Sequence, residues 1–193
     1  MLNGAANILL SKGLRIIYLT ARRIIEKIGQ KVWKEMEPLE DKKEMKFIAD
    51  ATLGKLAKWL RIFGYDTLFF RESDIDSLIK TARKEERIVL TKNTAFCKKG
   101  TPYKFIKSIK PLDQLKETIK EYQLRKDNMF AFCIICNAKL ISAKKEEIMN
   151  KVPDFVFLNR ERFHFCPKCK KVFWPGTHRE GMKKKILSII QKD

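Results

Sequence analysis

Two pairs of cysteines, Cys133-Ile134-Ile135-Cys136 and Cys166-Pro167-Lys168-Cys169, stand 29 residues apart. Two residues between the members of a pair let both thiolates turn onto one ion, and two such knuckles complete a tetrahedral sulfur site for which zinc is the expected occupant. Four sulfurs leave no coordination position for water, so Cys133, Cys136, Cys166 and Cys169 point to a structural metal rather than a catalytic one. The competing reading, buried or disulfide-linked cysteines, is disfavoured by the doubled spacing. Lys139, Lys168, Lys170 and Lys171 lie around the knuckles and would offset thiolate charge. His164 and His178 are close enough in sequence to replace a sulfur ligand, but with four thiolates at hand a packed or surface histidine is the default for both. Cys97 is left over as a free thiol.

A second set of residues offers oxygen. Asp50 closes the apolar run Phe47-Ile48-Ala49, Asn93 follows the run 88–91 by one residue, and Asp74 and Asp76 open the stretch after Phe70. If these runs are parallel strands, all four side chains emerge at the carboxyl edge, where open α/β sheets place their sites. Carboxylates converging there suit one or two magnesium or manganese ions, which activate water and stabilise charge on a phosphate under in-line attack. The plainer alternative makes Asp74 a helix cap and Asp50 a turn residue. Lys55, Lys58 and Arg61 recur every three residues opposite Leu53, Leu56, Ala57 and Leu60. Together with Lys92 they would steer a phosphate backbone toward Asp50, unless they are only a solvated helix face.

These groups need elements to hold them. The pattern from residue 46 onward reads as a strand at 47–49, a helix at 53–63 stopped by Gly64, and a strand at 65–70. A helix capped by Asp74 and carrying Leu78, Ile79 and Ala82 follows, then strands at 88–91 and 103–106 and a helix at 111–124 with Pro111 in its first turn. Such alternation implies a parallel α/β sheet. Beyond about residue 128 it stops, and the remaining segment is too short to bury a core of its own, so a metal must hold it together. Ahead of the sheet, Leu14, Ile17, Tyr18, Ala21, Ile24, Ile25, Ile28 and Val32 recur at helical spacing over 14–36. That amphipathic stretch mixes both charges, which favours a protein partner over lipid.

Across 193 residues, 42 Lys and Arg against 23 Asp and Glu leave a net charge of +19. Residues 1–45, 46–128 and 129–193 carry +3, +8 and +8, so the positive charge belongs to the folded parts and not to one tail. An excess of this size calls for an anionic partner, nucleic acid first and a membrane surface second. No apolar run approaches the roughly 20 residues needed to span a bilayer, which argues against membrane insertion and a secretory signal. Paired cysteines in an unexported chain fit a reducing, cytoplasmic location.

The run Phe47-Ile48-Ala49-Asp50-Ala51-Thr52-Leu53-Gly54-Lys55-Leu56-Ala57-Lys58-Trp59-Leu60-Arg61-Ile62-Phe63-Gly64-Tyr65-Asp66-Thr67 closely resembles the opening of the Mut-seven C-terminal RNase-like family, a PIN-like domain fused to a zinc ribbon. The likeness continues in Asp74, in 87–93, in Cys133 to Asn137, in Pro153, and in Cys166 to Cys169 followed by Phe173-Trp174-Pro175-Gly176-Thr177-His178. The resemblance covers 46 to about 182 and implies a PIN-like α/β domain (45–128) and a zinc ribbon with a basic C-terminal helix (129–193); the helical N-terminal extension (1–44), read from its periodicity, lies outside it. The resemblance also implies a metal-dependent ribonuclease acting on RNA, with Asp50 and Asp74 at the acidic site. One departure stands out: the family pattern Thr-Arg-Asp reads Thr91-Lys92-Asn93 here. An amide oxygen ligates a cation weakly and brings no charge, so a catalytically weakened RNA-binding module is the alternative function. Asp76 or Asp113 would have to compensate.

Overall fold

The computed structural model describes residues 44–98 and 100–191, with Met45–Asp193 forming one compact unit. The helical stretch read at 14–36 lies outside the described residues. Four short strands, β1 (Lys46–Ala49), β2 (Thr67–Phe69), β3 (Arg87–Thr91) and β4 (Tyr103–Phe105), form a wholly parallel sheet in the order β2-β1-β3-β4. Helices α1 (Gly54–Phe63), α2 (Ile75–Lys84) and α3 (Pro111–Tyr122) connect or follow them.

The two-residue period of the strands divides the sheet's apolar side chains between two layers. Phe47, Ala49 and Leu90 pack with Leu56, Leu60 and Phe63 of α1 and Leu115 of α3. Ile48 and Val89 point the other way, onto Leu78, Ile79 and Ala82 of α2 and onto Phe96. Burying both faces makes the strands almost continuously apolar, as parallel sheets require. Each fully buried Leu, Ile or Phe contributes about 1.5–3 kcal/mol.

Gly64 ends α1 with φ of 108°, its N–H bonding back to the carbonyls of Leu60 and Arg61. A Cβ there would lie 2.3 Å from the Asn128 carbonyl oxygen, so the turn excludes any side chain. The second strand is shorter than the sequence suggests, because Tyr65 and Asp66 are taken up by packing and pairing. Tyr65 stacks on Phe63 and meets Phe47 edge to face, while Asp66 pairs with Arg87.

Beyond the parallel sheet, β5 (Ile141–Ala143), β6 (Phe163–Phe165) and β7 (Val172–Phe173) form an antiparallel sheet in the order β5-β6-β7. Contrary to the expectation that this segment buries no core, Ala143, Ile148, Val152 and Phe163 form a small one. The insertion between β5 and β6, including α4 (Asp154–Asn159), supplies the extra apolar surface. The last helix, α5 (Thr177–Ile190), leaves the ribbon and returns to the first core, where Ile186 is fully buried with Phe47 and Leu115. Among the described residues no helix is long and apolar enough to cross a membrane.

Candidate acidic edge and metal centre

Asp50 follows the last residue of β1, an internal strand of the sheet, and is 8% exposed. Its extended backbone (φ −67°, ψ 173°) places it as the cap of the 3-10 turn Ala51–Leu53. Oδ1 accepts from the Thr52 N–H at 2.9 Å and the Thr52 hydroxyl at 2.6 Å. Oδ2 accepts from the Thr91 hydroxyl at 2.5 Å and the Lys92 N–H at 3.2 Å. Four donors thus hold a nearly buried carboxylate, and among the described residues no lysine or arginine forms an ion pair with it. Thr52 and Thr91 were not singled out by the sequence. The signal for them was there, since a hydroxyl beside the acid and another at the end of the adjoining strand can both reach it.

Asp74 caps α2, as the alternative reading had it. Its Oδ1 accepts from the Asp76 N–H at 3.1 Å, and Oδ2 accepts from the Ser77 hydroxyl. Asp74 and Asp76 are exposed. Asp50 follows β1 and Asp74 lies on the connection that leaves β2, so parallel topology brings both to the carboxyl edge. They do not gather tightly: among the described residues, the four cysteines are the only group of three or more Cys, His, Asp or Glu whose ligand atoms all lie within 4.8 Å of one another. Asn93 is exposed, and its Oδ1 accepts from the Ala95 N–H at 2.9 Å while its own N–H donates to the Thr91 hydroxyl. Lys55 and Lys58 are exposed on α1, which starts at the same edge, and Lys92 is half-buried.

Arg61 corrects the sequence reading. It is 5% exposed and faces inward, donating from Nε to the Thr67 carbonyl at 2.8 Å and from Nη1 to the carbonyls of Ile134 and Ile135 at 3.0 and 3.1 Å. A guanidinium engaged in this way cannot meet an RNA backbone; it ties the first cysteine knuckle to the start of β2. Burial pulls the Arg61 pKa down, while the sulfurs of Cys133 and Cys136 and the Asp66 carboxylate push it back.

Asn137 reinforces this joint. Its Oδ1 accepts from the Thr67 N–H at 2.9 Å, and its Nδ2 donates to Asp66, which Arg87 grips with two bonds of 2.7 and 3.1 Å. Arg87 also donates to the Phe47 carbonyl and to Glu85. Thr67 begins β2 and Arg87 begins β3, so the knuckle docks at the amino edge of the sheet, opposite Asp50.

Each knuckle is closed by a residue with positive φ just after its second cysteine, Asn137 at 68° and Lys170 at 61°. The Cys133 N–H bonds the Ala138 carbonyl, and the Cys166 N–H bonds that of Lys171. The Sγ atoms of Cys133 and Cys169 lie 3.6 Å apart, those of Cys136 and Cys166 3.3 Å. A tetrahedral zinc with bonds of about 2.3 Å needs its sulfurs about 3.8 Å apart, so these cysteines suit a metal ion such as zinc. Burial first, with the neighbouring Cys136 and Cys169 sulfurs adding to it, pushes the Cys133 thiol up to about 12, so a cation is needed to hold it as thiolate. Neither His164 nor His178 joins the group; both line a cavity beside β7 and α5.

The family model described as the Mut7-C RNAse domain matches residues 45–186. No curated protein and no solved structure matches the chain.

Proposed function

The chain belongs to the Mut7-C RNAse domain family, and from that premise we propose that it hydrolyses RNA phosphodiester bonds at the carboxyl edge of a PIN-like sheet. The observation that carries this reading is Asp50. A nearly buried carboxylate held by four donors and paired with no cationic side chain among the described residues costs desolvation energy that a bound cation would offset. Asp50, with Asp74 and Asp76 at the same edge of the sheet and Asn93 as an auxiliary oxygen, would hold magnesium or manganese. These hard oxygens suit an ion that keeps several waters and binds through one or two carboxylates.

Such an ion supplies an activated water and neutralises charge building on the phosphoryl group. The chain's own contribution is orientation. The hydroxyls of Thr52 and Thr91 and the Lys92 N–H fix the Asp50 carboxylate, and a hydroxyl must rotate away to free a lone pair for direct ligation. The exposed Lys55 and Lys58 draw the RNA backbone to this edge. At the other edge, zinc in the cysteine group would be structural, and its thiolates agree with a cytoplasmic protein.

The test is cleavage of single-stranded and structured RNA with added magnesium or manganese, wild type against Asp50→Asn. A fall of about 100-fold or more is expected, and equal cleavage by both would remove the site. A second reading, the weakened RNA-binding module, is favoured by one observation: the Asn93 side-chain oxygen already caps Ala95 and carries no charge. Its signature is RNA affinity that falls steeply with salt and is indifferent to chelation of magnesium.

A further inference from the structure

Beside β7 and α5 lies a cavity of about 290 Å³ that the cleavage reading does not use. Four aromatic rings, from Phe130, Phe132, Phe173 and Trp174, line it together with aliphatic side chains, and its polar side chains are His164, His178 and Arg179. The Arg179 guanidinium lies 4.3 Å from the centre of the Phe130 ring, and among the described residues no carboxylate forms an ion pair with it. Among the described residues no side-chain hydrogen bond holds the imidazole of His164 or His178, whose backbones belong to β6 and α5. Lys183, Lys184 and Lys185 follow on the exposed side of the same helix.

We propose that this cavity receives one base of a single-stranded RNA, stacked on the aromatic wall, with Arg179 and His178 taking the adjoining phosphate. An aromatic platform beside a guanidinium with no carboxylate partner is the combination that single-stranded nucleic acid uses, because every base has a face to stack and every linkage a charge. An aliphatic ligand would use the walls but leave the Arg179 guanidinium without a partner.

Position gives the pocket its role. Ile134 of the first knuckle lines it, and that knuckle docks at the amino edge of the sheet through Arg61 and Thr67. Asp50 lies at the far end of β1, a strand of four residues and so about 13 Å long. The pocket therefore anchors RNA away from the cut and acts on binding rather than on the chemical step. This inference rests on the RNA reading above.

The experiment uses the full metal-loaded chain and a single-stranded RNA of about 12 nucleotides, within the span one such module covers. Binding is followed by tryptophan fluorescence and by anisotropy of labelled RNA, with Arg179→Gln, His178→Ala, Trp174→Phe and Asp50→Asn alongside wild type. Arg179→Gln and His178→Ala should weaken RNA binding about tenfold and raise KM with kcat unchanged. Trp174→Phe should keep the fold and abolish the quenching, while Asp50→Asn should lose cleavage and keep binding. A free mononucleotide should quench Trp174 only weakly, which separates a base held in a strand from a small-molecule site. Wild-type RNA affinity in both pocket variants, with Asp50→Asn inactive, would overturn the pocket and leave the ribonuclease reading standing. Quenching by an aliphatic probe but not by RNA would also overturn it. Unchanged cleavage by Asp50→Asn with weakened binding in the pocket variants would sustain the pocket and sink the acidic site.

Discussion

The Arg61 side chain donates from Nη1 to the Ile134 carbonyl at 3.0 Å, across 73 residues of sequence. That bond, with the partners at Ile135 and Thr67, makes one buried guanidinium the strut between the metal knuckle and the parallel sheet. Replacing Arg61 with Ala leaves three carbonyls without a charged donor, at a cost of about 3 kcal/mol. Lysine cannot reproduce the fork and should recover only part. Denaturant unfolding and the rate of zinc release to a chromogenic chelator measure both effects. Lys55→Ala and Lys58→Ala, on exposed positions of the same helix, should stay within about 0.5 kcal/mol of wild type and weaken RNA binding instead.

The inward turn of Arg61 shows where reading from sequence stops. A step of three residues advances about 300° around an α-helix, so Lys55, Lys58 and Arg61 drift about 60° at each step. After two steps Arg61 has left the lysine face and lies over Ala57, within the buried stripe. The sheet was legible because Phe47, Ile48 and Ala49 are apolar on both faces, and Gly64 and Asp74 mark helix ends by backbone geometry and capping. The cysteine group was legible because its chemistry lies in spacing. The joints were not: Asp66 meets Asn137 across 71 residues, and the cavity beside α5 forms only once that helix folds back.

Removing the metal should loosen the ribbon before the sheet. Burial is the first cause pushing the Cys133 thiol up to about 12, and it raises the Cys166 thiol as well, so without a cation these two sulfurs are protonated and the knuckles lose their centre. Ala143, Ile148, Val152 and Phe163 make too small a core to replace it. Hydrogen exchange after chelation should show lost protection around 132–140 and 163–173, with β1 and β3 still protected. Uniform protection throughout would make the metal dispensable to the fold.

Glu117 links acidity to stability. Burial works against its ionised form, but the N–H groups of Lys107 and Ser108, the Ser108 hydroxyl and the Lys104 ammonium together hold its carboxyl below the usual range. Those two N–H groups donate at 3.0 and 2.9 Å, tying the β4–α3 connection to α3. A depressed folded pKa means stability that is present above the unfolded value and lost as pH falls through the folded one. Glu117→Gln should therefore destabilise by about 1 kcal/mol at pH 7. The gap from wild type should close as both are acidified below about pH 4, and urea titrations across that range follow it.

Asn93→Asp tests whether the carboxyl edge is a cation site. Aspartate can keep the cap on the Ala95 N–H, which Asn93 now makes at 2.9 Å, so the fold should change by less than about 0.5 kcal/mol. It adds a charge near Asp50, since Asn93 and Asp50 are linked through the Thr91 hydroxyl. A unit charge added in the neighbourhood of a divalent ion, screened as in water, is worth on the order of 1 kcal/mol, a severalfold gain in affinity. Manganese titrations followed by paramagnetic resonance should show that gain, absent in the double variant with Asp50→Asn. If the ion indeed serves cleavage, turnover at limiting manganese should rise in parallel. A manganese affinity untouched by the added carboxylate would mean that this edge holds no metal, and the weakened RNA-binding module would then be the better account of the chain.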